Sequence, residues 1–247
     1  MVDYFYLLLY YTFSLLSKLL PKKSMDWFLK TLSNIAYRID KKHRKIIYTN
    51  LDLAFGNTLN QSERDKIGIR TFYNMLHTIV GFMRRYGKSK EILLTNITFH
   101  RDDIVRKALE NDQKIIFITG HYSNWELLAP ALATKFNFTL AAVGRRLNSK
   151  LMNQILIKNR QQFGVEMIDR QGAMKGMIKA LKENKPVGLL LDQSLYEHQG
   201  ALKVDFFGKN AGHSPAASIL GRMFNATLIP VFISTDDYEQ YEINFYD

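Results

Sequence analysis

From Lys114 to the end of the chain, short β-branched runs alternate with longer stretches whose apolar residues recur at helical spacing. No other feature narrows the fold so far. Strands are expected at 115–119, 138–143, 165–168, 187–191, 203–207, 227–233 and 241–246, and helices at 125–135, 149–163, 172–184 and 214–225. Alternation of this kind predicts an α/β fold with a largely parallel central sheet flanked by helices. In such sheets ligands gather at the carboxyl ends of the strands. Upstream, Ser62–Tyr86 carries Ile67, Ile69, Phe72, Met75, Leu76, Ile79, Val80 and Met83 at mostly helical spacing, with Ser62 and Asp65 as its expected start. That stripe reads as core packing, and His77 on it as a satisfied core or groove histidine. A short helix over Asp102–Asn111 leads into the first of these strands. No repeat, low-complexity segment or linker interrupts the chain, so residues 24–247 read as one α/β domain behind an N-terminal segment, 1–23.

The stretch KIIFITGHYSNWELLAP (Lys114–Pro130) places chemistry at such a strand end. Ile115–Thr119 has the pattern of a short buried strand that runs into Gly120 and His121, and Asn124 suits the N-cap of a helix opening near Trp125. Glu126 then sits in the first helical turn, where the helix dipole favours a carboxylate. With His121 on the loop and Glu126 in that turn, the acid can swing back to an imidazole nitrogen. A base held by its orienter is half of the triad arrangement and needs no protein nucleophile. A lone histidine at a strand end is more often structural, so spacing alone leaves both readings open. Asp192 ends a very apolar strand, where an ionised carboxylate is costly unless paired. It therefore lines the site, caps a helix or pairs with a cation. Ser214 and Pro215 read as a cap and a first-turn proline rather than as a nucleophile's surroundings.

His121 to Glu126 spells HxxxxE, which resembles the H-x4-(D/E) motif of the bacterial lipid A biosynthesis acyltransferases, the late lauroyl/myristoyl transferases. That motif alone recurs by chance in many chains, but further segments match the family in the same order. They are RKIIYTNLDLAFG (Arg44–Gly56) followed by Ser62–Arg64, GRRLNSKLMNQILIKNRQQFG (Gly144–Gly164), VGLLLDQ (Val187–Gln193), VDFFGKNAGHSP (Val204–Pro215) and TLIPVF (Thr227–Phe232). The resemblance implies a glycerolipid-acyltransferase-like fold. It also implies O-acyl transfer from an acyl carrier protein thioester to the hydroxyl of a hydroxyacyl chain on a lipid A precursor. In that reading His121 is the general base, Glu126 its partner, and the thioester is a co-substrate, with no cofactor or metal. Arg145 matches the family's arginine after the second strand, as an oxyanion donor or a surface ion pair. Arg160 falls at the next arginine, as a phosphate contact or a structural pair. Backbone amides around Gly120–Ser123 are a second source of oxyanion donors. Family members run longer, and the chain stops at YEINFYD without a turn or cap, so it reads as C-terminally truncated. The rivals are a related acyltransferase for another glycolipid or a lysophospholipid, and a catalytically inactive basic adaptor at a membrane surface.

Charge selects the partners. The 34 Lys and Arg against 23 Asp and Glu leave +11, which favours anionic surfaces. No nucleic-acid motif accompanies the charge, so an anionic membrane is preferred over nucleic acid. The resemblance adds an acidic acyl carrier protein and a phosphorylated glycolipid as partners. The absence of cysteine excludes a disulfide framework, a thiolate metal site and a cysteine nucleophile. No HExxH or similar histidine pair suggests a metal. Residues 4–20, YFYLLLYYTFSLLSKLL, form the most apolar run, with Lys18, Lys22 and Lys23 at its C-terminal end. The run reads as a membrane-attached helix, spanning or lying in the interface, with a buried core helix as the alternative. The positive-inside rule then puts the main domain on the cytoplasmic side, which for this family is that of the bacterial inner membrane. The basic run Arg38–Lys45 beside it suits lipid headgroups or a solvated helix face.

Overall fold

The computed structural model describes residues 2–247. Its N-terminal third is helical: α1 (Val2–Leu19), α2 (Lys22–Ile39), α3 (Lys41–Phe55), α4 (Gln61–Arg85) and α5 (Lys90–Leu94). Pro21 separates α1 from α2, since proline cannot continue the hydrogen-bond ladder. Asp40 closes α2 and caps α3, accepting from the His43 amide at 3.0 Å. The long helix α4 opens on a capping box between Asn60 and Glu63, upstream of the expected Ser62 and Asp65. Asp65 is spent elsewhere, accepting from the hydroxyls of Tyr37 and Tyr48.

The alternating part follows: β1 (Ile97–His100), α6 (Asp103–Glu110), β2 (Ile115–Thr119), α7 (Trp125–Phe136), β3 (Leu140–Gly144), α8 (Lys150–Gln161) and β4 (Val165–Asp169). Then come α9 (Ala173–Lys182), β5 (Val187–Leu190), β6 (Leu202–Phe206), β7 (Lys209–His213), α10 (Ala216–Phe224), β8 (Thr227–Ser234) and β9 (Tyr241–Phe245). Seven strands form one sheet in the order β1-β9-β8-β2-β5-β3-β4. All neighbours are parallel except β8 and β9. The expected α/β architecture with a mostly parallel sheet and flanking helices is therefore present. One strand is reassigned: the run expected at 203–207 leaves the sheet and pairs antiparallel with β7 as a separate hairpin. Its turn is closed by Phe207 and Gly208, both at positive φ.

β2 lies at the centre and is buried on both faces, which is why it reads as a continuous apolar run. Alternate residues feed two cores. Ile115 and Phe117 pack with Leu127, Leu128, Ala131 and Leu132 of α7. Ile116 packs on the other side with Met177 and Leu181 of α9 and Leu220 of α10. Each fully buried side chain of this size contributes about 1.5–3 kcal/mol. The rigid sheet this produces fixes the loops at its carboxyl edge.

α1 is corrected in one respect. Among the described residues no helix is long and apolar enough to cross a membrane. Serine, tyrosine and lysine dilute the run. The helix instead lies on α4 and α8 with its inward stripe formed by Tyr10, Ser14 and Ser17. Arg84 of α4 donates to the Ser17 carbonyl at 2.7 Å. Tyr10 and Phe13 turn inward, but most of the leucines, with Tyr4, Phe5, Tyr6 and Tyr11, face outward, unlike a helix packed by its whole apolar side.

Candidate active site

β2 and β5 are neighbours in register, with Thr119 beside Leu190. Both strands end at this pair and the chain continues two residues past each, to His121 and Asp192, so the two residues leave the sheet side by side. Asp192 Oδ2 accepts from the His121 backbone amide at 2.8 Å, and Oδ1 lies 2.9 Å from His121 Nδ1. A carboxylate can only accept, so this contact places the ring proton on Nδ1 and leaves a lone pair on Nε2 of the neutral imidazole. The edge of the Trp125 ring stands against the histidine, with centroids 5.2 Å apart. Gly120 suits this approach: a Cβ there would lie 3.2 Å from the Asp192 side chain, tighter than an ordinary contact.

Glu126 does sit in the first turn of α7, but it does not reach His121. Its carboxylate is held by Arg160 of α8, with Nη2–Oε1 at 2.6 Å and Nε–Oε2 at 3.2 Å, and both side chains are only 19% exposed. A bidentate, charge-assisted pair at that depth outcompetes a swing back to the imidazole. The histidine's partner is thus Asp192, and the expected His121–Glu126 contact is replaced by two carboxylate pairs side by side. Arg160 takes the structural-pair alternative. Arg145 follows β3, is exposed, and lines neither cavity beside His121. Its neighbour Arg146 pairs with Asp169 at 2.5 Å.

The loop between His121 and Glu126 is braced from below by α4 and β9. Ser123 adopts φ +50°, a left-handed conformation that costs a non-glycine residue energy unless its surroundings hold it. Thr78 donates to the Ser123 carbonyl at 3.3 Å. The buried Arg85 donates to the Glu126 carbonyl at 3.0 Å, and burial lowers its pKa to about 10. Asn124 stands at the N-cap position but makes no cap bond; its amide donates to the Tyr241 hydroxyl at 3.1 Å. Sequence reasoning passed over Arg85, although a cation on the buried stripe of α4, seven residues after Thr78, was the available signal. Asn124 and Tyr241 meet only through the sheet order, which no local pattern reveals.

His121 and Tyr122 divide two open cavities. One, of about 410 Å³, is lined by Arg70, Asn74, Trp125, Thr235 and Tyr238. The other, of about 490 Å³, is lined by Gly120, Asp192, Phe232 and Tyr246. The amide of His121 is spent on Asp192, which removes it from the expected oxyanion donors, whereas those of Tyr122 and Ser123 have no acceptor among the described residues. Among the described residues no cluster of three or more histidine and acidic side chains could hold a metal ion.

A histidine held by a carboxylate at a parallel strand's end, with a cavity on either side, is an arrangement chemically able to take up a proton from a bound group. The chain belongs to the bacterial lipid A biosynthesis acyltransferase family, whose pattern it matches over residues 1–247. It is 25% identical over 209 residues to the lipid A biosynthesis lauroyltransferase of Escherichia coli, covering 81% of this chain and 64% of that protein. It is 22% identical over 193 residues to a lipid A biosynthesis acyltransferase of Haemophilus influenzae, covering 78% of this chain and 59% of that one. The chain therefore spans about three fifths of the length of these curated relatives.

Proposed function

We propose that this chain is an O-acyltransferase that moves a fatty acyl group from an acyl carrier protein thioester to a hydroxyl of a lipid A precursor. The observation that carries the reading is His121 held by Asp192 with Nε2 open between two cavities, in a chain of this family. A hydroxyl is a weak nucleophile at neutral pH and needs a positioned base. His121 Nε2 takes the proton of the acceptor hydroxyl as its oxygen attacks the thioester carbonyl. Asp192 fixes the tautomer and stabilises the imidazolium. The tetrahedral oxyanion is met by the free amides of Tyr122 and Ser123. Collapse expels the carrier's thiolate, which takes up the proton from His121. Glu126, the acid of the motif, acts one step back: its pair with Arg160 fixes the first turn of α7 and so the loop on which His121 stands. No acyl-enzyme forms, since the hydroxyl attacks directly.

The outward apolar side chains of α1 support attachment in the membrane interface rather than a span, on the cytoplasmic side of the bacterial inner membrane where carrier protein and precursor meet. The test is mass spectrometry of tetraacylated lipid A precursor incubated with acyl carrier protein thioesters and the protein in detergent micelles. The expected result is a mass gain of one acyl group, lost on His121→Ala. Transfer to a lysophospholipid but not to the precursor would move the assignment to the related acceptor.

A further inference from the structure

Arg70 is a cation in the histidine's cavity to which the described side chains offer no anion. It projects from the exposed side of α4 and lines the same cavity as His121 and Trp125. Its guanidinium lies over two aromatic rings, 5.5 Å from the centroid of Tyr73 and 5.1 Å from that of Tyr238. These rings meet edge to face at 5.3 Å. Tyr73 is buried, and the Tyr238 hydroxyl donates to Asn74, so the platform under the guanidinium is fixed. Stacking orients the cation and leaves its N–H edge unspent. Among the described residues Arg70 makes no ion pair and no side-chain hydrogen bond.

The neighbouring acids are engaged elsewhere. Glu239 pairs with Lys22 at 2.8 Å, and Asp237 accepts from the amides of residues 239 and 240 at 2.8 Å. Asp26 lies beside His77, 3.8 Å from its Nε2, and forms no ion pair with Arg70. His77 is stacked on Tyr238 at 3.9 Å and is kept neutral because burial lowers its pKa to about 4. An unpaired planar fork beside a reacting histidine suits a phosphate, which it can bind through two parallel hydrogen bonds. α4 also carries α1, most of whose outward side chains are apolar, and α2, whose exposed face mixes Trp27, Ile35 and Ile39 with Lys23, Lys30 and Arg38. Such a surface suits an anionic lipid, so the lipid substrate is the one that approaches from this side.

We propose that Arg70, set on the Tyr73–Tyr238 platform, is a phosphate subsite that holds the acceptor lipid's headgroup while its hydroxyl lies at His121. This rests on the acyltransferase reading for the identity of the acceptor, but the contact itself is read by binding alone. Trp125 lines the cavity, and Trp27 is the other of the two tryptophans. In a Trp27→Phe background, Trp125 fluorescence would be titrated with three probes in mixed micelles. These are a tetraacyl glucosamine disaccharide bisphosphate, its dephosphorylated counterpart, and holo acyl carrier protein, whose prosthetic arm also carries a phosphate. Arg70→Gln is expected to weaken the bisphosphate by about tenfold or more, with the other two probes unchanged and Arg70→Lys intermediate. Equal binding of phosphorylated and dephosphorylated lipid by the parent, or an unaltered bisphosphate affinity in Arg70→Gln, would overturn the subsite. A loss confined to the carrier protein would overturn the acceptor assignment. If Arg70→Gln does not fold, as judged by its thermal transition, Arg70→Lys decides on the same criteria. Failure of acyl transfer with the phosphate discrimination intact would count against the proposed function and leave the subsite standing.

Discussion

Two histidines on this wall are handled in opposite ways. His121 is given a carboxylate and an open face, whereas His77 is sealed against Tyr73 and Tyr238, with Nε2 lacking a hydrogen bond among the described residues. Burial is the main cause of the lowered pKa of His77, reinforced by the nearby Arg70. The folded pKa of about 4 lies below the unfolded value near 6.5, so the unfolded chain binds the extra proton between those two values. Stability is therefore unaffected by this residue above pH 6.5 and falls as pH drops from about 6.5 to about 4, by roughly 3 kcal/mol at most. Urea denaturation at a series of pH values should show this slope in the parent and a smaller one in His77→Gln. Identical slopes would mean that His77 titrates normally in the fold.

At the scale of elements, α1 presents an unusual division of side chains. Tyr10, Ser14 and Ser17 face the protein, while Tyr4, Phe5, Leu8, Leu9, Leu15 and Leu19 face out. An interfacial helix buries its outward apolar face at the boundary of headgroups and acyl chains. Leu8→Ser with Leu15→Ser should reduce partitioning onto anionic phospholipid vesicles by about tenfold per leucine, the scale of partly burying one such side chain. Both leucines are more than half exposed, so the thermal transition in detergent-free buffer should stay put. Sedimentation with vesicles checks this, and undiminished binding would place the membrane contact elsewhere. The apolar content of α1 was legible in the sequence. Its direction was not, because the inward serines are chosen by close approach to α4 and α8 rather than by hydrophobic periodicity.

The whole molecule decides which chemistry-bearing residues meet. The strands β2, β4, β5, β8 and β9 were readable from β-branched runs, and the helices between them from their spacing. β1 and β7, ITFH and KNAGH, were not, since one is very short and the other is polar and glycine-containing. His121, Glu126 and Asp192 could each be singled out locally, and Arg160 through the family resemblance. Their pairing could not: Asp192 stands 71 residues from His121 and Arg160 stands 34 from Glu126, and only the placement of β5 beside β2, and of α8 beside α7, selects the partners. Proximity along the chain favoured Glu126 as the orienter, and topology supplied Asp192 instead. The central claim is therefore that Asp192 works through His121. Single-turnover acyl transfer by His121→Ala, Asp192→Asn and the double variant tests it most directly. The account predicts a loss of about 10²–10⁴-fold for His121→Ala, a smaller loss for Asp192→Asn, and a double variant no slower than His121→Ala. Losses that multiply in the double variant would show that Asp192 acts independently of the histidine and would contradict the account.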